Sequence, residues 1–202
     1  MMEAFPVSVV PWEGEPVTVR RGGRIKRCSN TTLWYADWHD QPRGRHVHHA
    51  QDIFAPMGSL VVAPNAGRVR EVRPGTSRGG HSLFLEVLDA RGRVVRTYYM
   101  AHLMEAPVVE PGEIVQAGQV LGLLGRSGNA RNTCPHLHIG ARRYARGRAV
   151  NIYDELQRLN PTGPRGQEVL PRGKPPLVPR SSSPQSSPSC SPERTHDATD
   201  PS

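Results

Sequence analysis

The chain has 202 residues, enough for one domain with a sizeable core and a tail. Its 20 glycines and 20 prolines, with a 36% apolar fraction, argue against a helical bundle and for a turn-rich β protein. The formal charge of +8 points to an anionic partner, such as a cell-wall polymer, nucleic acid or a membrane surface.

The N-terminal stretch MMEAFPVSVVPWEGEP lacks the basic start and unbroken apolar core of a signal peptide, because Pro6 and Pro11 interrupt its short apolar run. Residues 1–45 are expected to form an N-terminal extension packing on the domain, with short strands at PVTVR and RIKRC. DQPRGR then reads as a loop. From His46 the texture changes. HVHHAQDIFAP, GSLVVAP and GRVREVRP read as strands, and HSLFLEVLDARGRVVRTYYMAHL reads as a hairpin around the turn DARGR. On its second arm Val94, Arg96, Tyr98, Met100 and His102 share one face by alternation. PGEIVQAGQVLGLLGRSG is punctuated by glycines, which suits short strands joined by tight turns. HLHIGARR is the last main strand. NIYDELQRL reads as a short helix with Asn151 as its N-cap.

The predicted fold is therefore all-β: a single β-sandwich-like antiparallel domain over 46–160, with Gly-punctuated hairpins and a short C-terminal helix. Residues 161–202 are Pro- and Ser-rich and carry five basic and four acidic residues, so the excess charge sits on the body. They hold too few apolar residues to offset the entropy of ordering them, and a disordered tail is expected. No apolar run approaches 18 residues, so no transmembrane segment is expected.

Three cysteines, Cys28, Cys134 and Cys190, do not make a disulfide framework, and no CxxC pair suggests a zinc ribbon. A Cys28–Cys134 bridge is possible but disfavoured.

The histidines carry the chemistry. In HVHHAQD, His48 and Asp52 are four apart, so one extended strand would place both on one face. His49 would face the other way, and His46 lies nearer the loop. In CPHLHIG, His136 and His138 also share a strand face, roughly 6–7 Å apart at about 3.3 Å per residue. That is too far for both to hold one metal comfortably from a flat strand. One of them, with His48 and Asp52, makes a three-ligand zinc site with a fourth position open to water, the pattern of catalytic rather than structural zinc. Zinc would bring the pKa of bound water from about 15.7 toward about 7 and polarise a carbonyl. A neutral histidine nearby could take the water's proton, and another could stabilise the oxyanion. His102, closing the strand TYYMAHL, is a candidate for such work. Alternation alone does not choose between His136 and His138.

These segments resemble the lysostaphin-like (LytM-type) zinc endopeptidases of bacterial cell walls. HHAQDIFAPMGSLVVAPNAGRV is similar to that family's HxxxD segment and following strand. TYYMAHL resembles its Tyr-x-His-Leu segment, VVEPGEIVQAGQVLGLLGRSGNA its Gly-punctuated hairpin, and CPHLHIG its HLH strand. The resemblance covers roughly residues 45–145. It implies that His48, Asp52 and His138 bind Zn2+, and that His102 and His136 are the catalytic pair. The implied function is hydrolysis of peptide cross-links in peptidoglycan, at the cell envelope or outside the cell, by a monomer. Ala50 stands where the family usually has Gly. Cys134 stands where Gly or Pro is common, and is expected to be a bystander thiol. Trp34, Tyr35 and Trp38 are expected to pack in the core, with lining of the cleft as the alternative.

Two other function classes fit the sequence less well. A metal-free, non-catalytic module of the same fold, activating or binding cell-wall enzymes, is disfavoured because all five site positions are filled. A nucleic-acid binder is disfavoured because no basic helix or basic-aromatic strand pair accompanies the charge.

Overall fold

The computed structural model describes residues 1–21, 24–35, 39, 41–43 and 46–160. Trp38 and the expected disordered tail, 161–202, lie outside the described residues. In chain order the first strands are Val7–Ser8 (β1), Thr18–Arg21 (β2), Arg24–Arg27 (β3), Gln41–Arg43 (β4) and His46–His48 (β5). Next come Gln51–Phe54 (β6), Leu60–Val62 (β7), Gly67–Thr76 (β8), Gly80–Leu88 (β9) and Val94–Leu103 (β10). Ile114–Val115 (β11), Val120–Leu123 (β12), His136–Arg143 (β13) and Ala149–Val150 (β14) precede the helix Tyr153–Leu159 (α1).

The architecture is mostly β and antiparallel, as the alternation and turn signals predict. The large sheet runs β11-β8-β9-β10-β13-β14, and β6 also pairs with β13. A small sheet runs β1-β7-β12, and β2-β3 and β4-β5 form two separate ribbons. The ribbon β2-β3 coincides with the expected strands PVTVR and RIKRC. At the tip of the β9-β10 hairpin, Asp89 Oδ1 accepts from the backbone N–H groups of Arg91 and Arg93, both at 2.9 Å. Gly92 supplies the positive φ of 73° that this turn needs.

Period-two alternation sorts each long strand into a core face and an outer face. Leu83 and Leu85 of β9, Met100 of β10, and Leu137 and Ile139 of β13 point into one core, at 0–1% exposure. Val61 and Leu121 of the small sheet join the same cluster. Burying each such side chain contributes about 1.5–3 kcal/mol before entropy is counted. Met2, Val7 and Tyr35 belong to this core too, as do Ile152 and Leu156 around the helix. For Tyr35 the expectation of core packing therefore describes what is seen. The helix starts at Tyr153, whose N–H donates to Asn151 Oδ1 at 2.9 Å, so Asn151 supplies the capping oxygen from two residues upstream. Glu155 ties the helix to β10 and to the N-terminus, accepting from Arg96 Nη1 at 2.8 Å and from the Met2 N–H at 2.5 Å.

One expectation about the cysteines is corrected. Cys28 and Cys134 form a disulfide across 106 residues, with Cα atoms 5.5 Å apart. A count of cysteines cannot see this, because the pairing depends on where the residues after β3 settle on the large sheet. Cys134 is therefore not a free bystander thiol.

Candidate metal and catalytic site

Strand β13 organises the site because it has neighbours on both edges. On one edge His138 lies opposite Ala101 of β10; on the other it lies opposite Asp52 of β6. Leu137, Ile139 and Ala141 turn into the core. The two-residue period then sends His136, His138 and Gly140 to the other face. His48 reaches the same place by a different route from the one expected. A single extended strand from His48 to Asp52 does not form. β5 ends at His48 after pairing with β4, and the chain bends at Ala50. β6 starts at Gln51 and pairs with β13. The change of partner strand requires the break, and the break still delivers both side chains to one point.

His102 is a second correction. Alternation would put it on the face of Tyr98 and Met100, which are both fully buried in the core. Instead the register slips between Ala101 and Leu103, and His102 adopts φ 70°. This is a β-bulge, which re-aims one side chain. A non-glycine residue at positive φ costs about 1–2 kcal/mol and persists only where its surroundings hold it. The His102 N–H donates to the Gly79 carbonyl at 2.9 Å. Its ring comes to 5.0 Å from that of His136 and 5.8 Å from that of His138, centroid to centroid.

Three donor atoms converge. His48 Nε2 lies 3.2 Å from His138 Nδ1 and 3.3 Å from Asp52 Oδ1, and His138 Nδ1 lies 3.0 Å from Asp52 Oδ1. A tetrahedral zinc with bonds of about 2.05 Å has ligand–ligand edges of about 3.3 Å. The triangle thus has the size of one face of a zinc tetrahedron, and its donor set, two imidazoles and a carboxylate, suits zinc. Burial pushes the Asp52 carboxyl up, but hydrogen bonds from His138 and His48 outweigh it and hold it well below the usual carboxylate range. Asp52 is therefore an anion at neutral pH, as a metal ligand must be.

The other two histidines are held differently. His102 Nδ1 lies 3.0 Å from the Ser127 carbonyl, and His136 Nδ1 lies 2.9 Å from the Cys134 carbonyl. A carbonyl oxygen only accepts, so each Nδ1 carries a proton, which leaves Nε2 as the acceptor nitrogen of a neutral His102 ring. Burial, reinforced by the charges of His136 and His138, pushes His102 down to about 4. It is a neutral imidazole at pH 7, able to accept a proton. A groove of about 450 Å³ opens beside the donor triangle, lined among others by His48, His49, Phe84, Tyr99, His138 and Arg142.

The sequence matches Peptidase family M23 over residues 46–152. The chain belongs to this family. It is 36% identical over 104 residues to the L-Ala--D-Glu endopeptidase of Bacillus subtilis (strain 168), an overlap of 48% of this chain and 30% of that protein. The chain therefore matches less than a third of that relative's length. The catalytic domain of lysostaphin from Staphylococcus simulans matches with a TM-score of 0.51 at 26% identity, over 62% of this chain and 92% of that domain. The fold is also that of lytM from Ruminococcus gnavus ATCC 29149, with a TM-score of 0.58 at 24% identity over 80% of this chain and 62% of that one. Within this M23 domain the five histidine and aspartate positions singled out from the sequence lie together. No helix among the described residues is long and apolar enough to cross a membrane.

Sequence reasoning missed what supports these residues. Ser127 Oγ donates to the Leu103 carbonyl at 2.6 Å and accepts from the His81 N–H at 2.9 Å, bracketing the bulge at His102. Phe54 stacks on His136 at 4.8 Å, and Trp34 stacks on Phe54 at 4.4 Å. Trp34 is thus neither a core residue nor a wall of the groove beside the triangle. A serine in a Gly-rich loop and two aromatics in separate segments carry no motif that would flag them.

Proposed function

We propose that this chain is a zinc-dependent endopeptidase that hydrolyses peptide cross-links of bacterial peptidoglycan. The observation that carries the proposal is the donor triangle of His48, Asp52 and His138, sized for one tetrahedral ion and flanked by His102 and His136, whose Nδ1 atoms are both held by backbone carbonyls. When bound, zinc supplies Lewis acidity, polarising a carbonyl and acidifying water. His48, Asp52 and His138 would hold the ion. His102, neutral and with Nε2 unprotonated, takes the proton of the attacking water. His102 returns that proton to the leaving amine, and His136, when its ring is doubly protonated, donates its Nε2–H to the developing charge on the carbonyl oxygen. The peptide lies in the adjoining groove. Membership of the peptidase family, and a relative named as an endopeptidase acting at L-Ala–D-Glu, support a peptide substrate of the wall. The body's positive charge suits an anionic polymer.

The test is digestion of defined muropeptides by the full-length chain, with products identified by mass. We expect new amino termini that vanish with a strong chelator and return with added zinc. Cleavage unaffected by chelation would remove zinc from the proposal, and no cleavage of any wall peptide by the zinc-loaded chain would remove the function.

A further inference from the structure

The N-terminal segment pairs β4 with β5 at His48, and it reaches His136 in two ways. The first link is covalent. Cys28, just past β3, is bonded to Cys134, whose carbonyl accepts the Nδ1–H of His136 at 2.9 Å. The second is a stack. Trp34 lies parallel to Phe54, 6° between ring planes, and Phe54 lies 30° from the plane of His136. Trp34 and Phe54 also exchange backbone hydrogen bonds, each at 2.9 Å, so the tryptophan is fixed to β6 rather than merely resting on it. His136 itself is 6% exposed, and its backbone N–H donates to Gly125 at 3.1 Å.

A histidine ring has two torsions and two neutral tautomers. The backbone bond to Gly125 fixes neither torsion. The Phe54–Trp34 stack restricts the ring plane, and the Cys134 carbonyl selects the tautomer. The carbonyl can do this only while the Thr133–Pro135 loop holds its place. Thr133 Oγ1 anchors one side of the loop by donating to the Ala130 carbonyl at 2.8 Å, and the disulfide anchors Cys134 itself. Neither device touches His48, Asp52 or His138.

We propose that Cys28, Cys134 and Trp34 are positioning residues for His136. On this view the N-terminal segment is a clamp that holds the resting ring as the Nδ1–H tautomer, so that Nε2 is the nitrogen that works at the site. The proposal rests on the reading of His136 as a working group. It adds that the chain needs an oxidised Cys28–Cys134 pair for full turnover, which suits action in an oxidising compartment.

The test uses the full-length chain, 15N-labelled at histidine, as wild type, as the double variant Cys28→Ser/Cys134→Ser, and as Trp34→Ala with Trp34→Phe as the conservative control. Three quantities are read: the 15N shifts of the His136 ring, zinc per chain, and kcat and KM on a muropeptide. In wild type the shifts should show one fixed Nδ1–H tautomer. In the double variant they should move toward the tautomer average, with zinc still one per chain, KM within about twofold and kcat down about tenfold to a hundredfold, the size expected when a working group is misplaced by about 1 Å. Trp34→Ala should act in the same direction, and Trp34→Phe should restore most of the loss. If the double variant does not fold, wild type treated with a phosphine reductant provides the same comparison. Unchanged His136 shifts and unchanged kcat in folded, reduced or cysteine-free protein would overturn the clamp and leave the disulfide a stability element. The shift measurement needs no catalysis, so an inactive wild type would sink the functional proposal while the clamp was still judged.

Discussion

Replacing Ser127 with alanine removes one oxygen that joins three parts of the site. Its Oγ donates to Leu103 just past the bulge and accepts from His81 at the start of β9, and its backbone carbonyl holds His102 Nδ1. The backbone carbonyl survives the substitution; the two hydroxyl bonds do not. Each lost partner leaves a backbone group short of a hydrogen bond at a cost of about 1–3 kcal/mol, so Ser127→Ala should lose about 2–6 kcal/mol of stability. The larger effect is local. His102 sits at φ 70°, a conformation sustained by its neighbours, and Leu103 is the next residue. Once Leu103 is released the bulge can relax toward regular alternation, which would turn His102 toward the core. A misplacement of about 1 Å costs about a hundredfold in rate. Urea denaturation, zinc content and turnover on a muropeptide would be measured together. The expected result is a lower urea midpoint, full zinc occupancy and kcat reduced at least tenfold. Wild-type turnover in a variant that is measurably less stable would refute the idea that Ser127 aims His102.

The other expectations are more direct. His48→Ala and His138→Ala should each lose zinc and activity together, because each removes one of the three proposed protein ligands; full occupancy in either would show that the ligand set is wrong. His102→Ala and His136→Ala should keep zinc in equilibrium dialysis and lose turnover. Gly128→Ala should destabilise by about 2–4 kcal/mol in thermal or urea melts. The reason is that φ is 66° and an added Cβ would stand 2.3 Å from the Gly80 nitrogen and 2.4 Å from the Arg78 carbonyl oxygen. Glu155 bears on acid stability. Burial raises its pKa, but Arg96 and the Met2 N–H outweigh this and lower it. The folded form therefore binds the proton less readily than the unfolded chain. The resulting stability is present above the ordinary glutamate pKa of about 4.3 and is lost as pH falls through the folded value. Glu155→Gln should be less stable than wild type by about 1 kcal/mol near neutrality, discounted for partial exposure, and the gap should close as pH falls below the folded pKa, which lies under the ordinary glutamate value. A gap that persists there would assign the loss to packing.

Alternation and turn chemistry made much of the fold legible. The β9-β10 hairpin, the core positions Leu83, Leu85, Leu137 and Ile139, and the final helix all follow from local pattern. So does the shared face of His136 and His138, since β13 is regular through both. Parity was a poorer guide where the backbone is irregular. It joined His48 to Asp52 through a strand that is broken at Ala50. It also put His102 on the side of Met100, because a bulge cannot be seen in a run of alternating residues. Gly79 and Ser127, which hold the bulge, come from segments distant in sequence. The disulfide was hidden for a similar reason, since only the folded sheet brings residue 28 to residue 134. Trp34 gave no sign of its role because its partner, Phe54, reads as an ordinary strand aromatic.

Zinc K-edge X-ray absorption on the zinc-loaded full-length chain tests most directly whether His48, Asp52 and His138 form the ligand set. Four light-atom neighbours at about 2.0–2.1 Å, with two showing the outer-shell scattering of imidazole, are expected; in His138→Ala the imidazole signal or the zinc itself should be lost. A sulfur shell near about 2.3 Å, or a spectrum identical in His138→Ala, would contradict it.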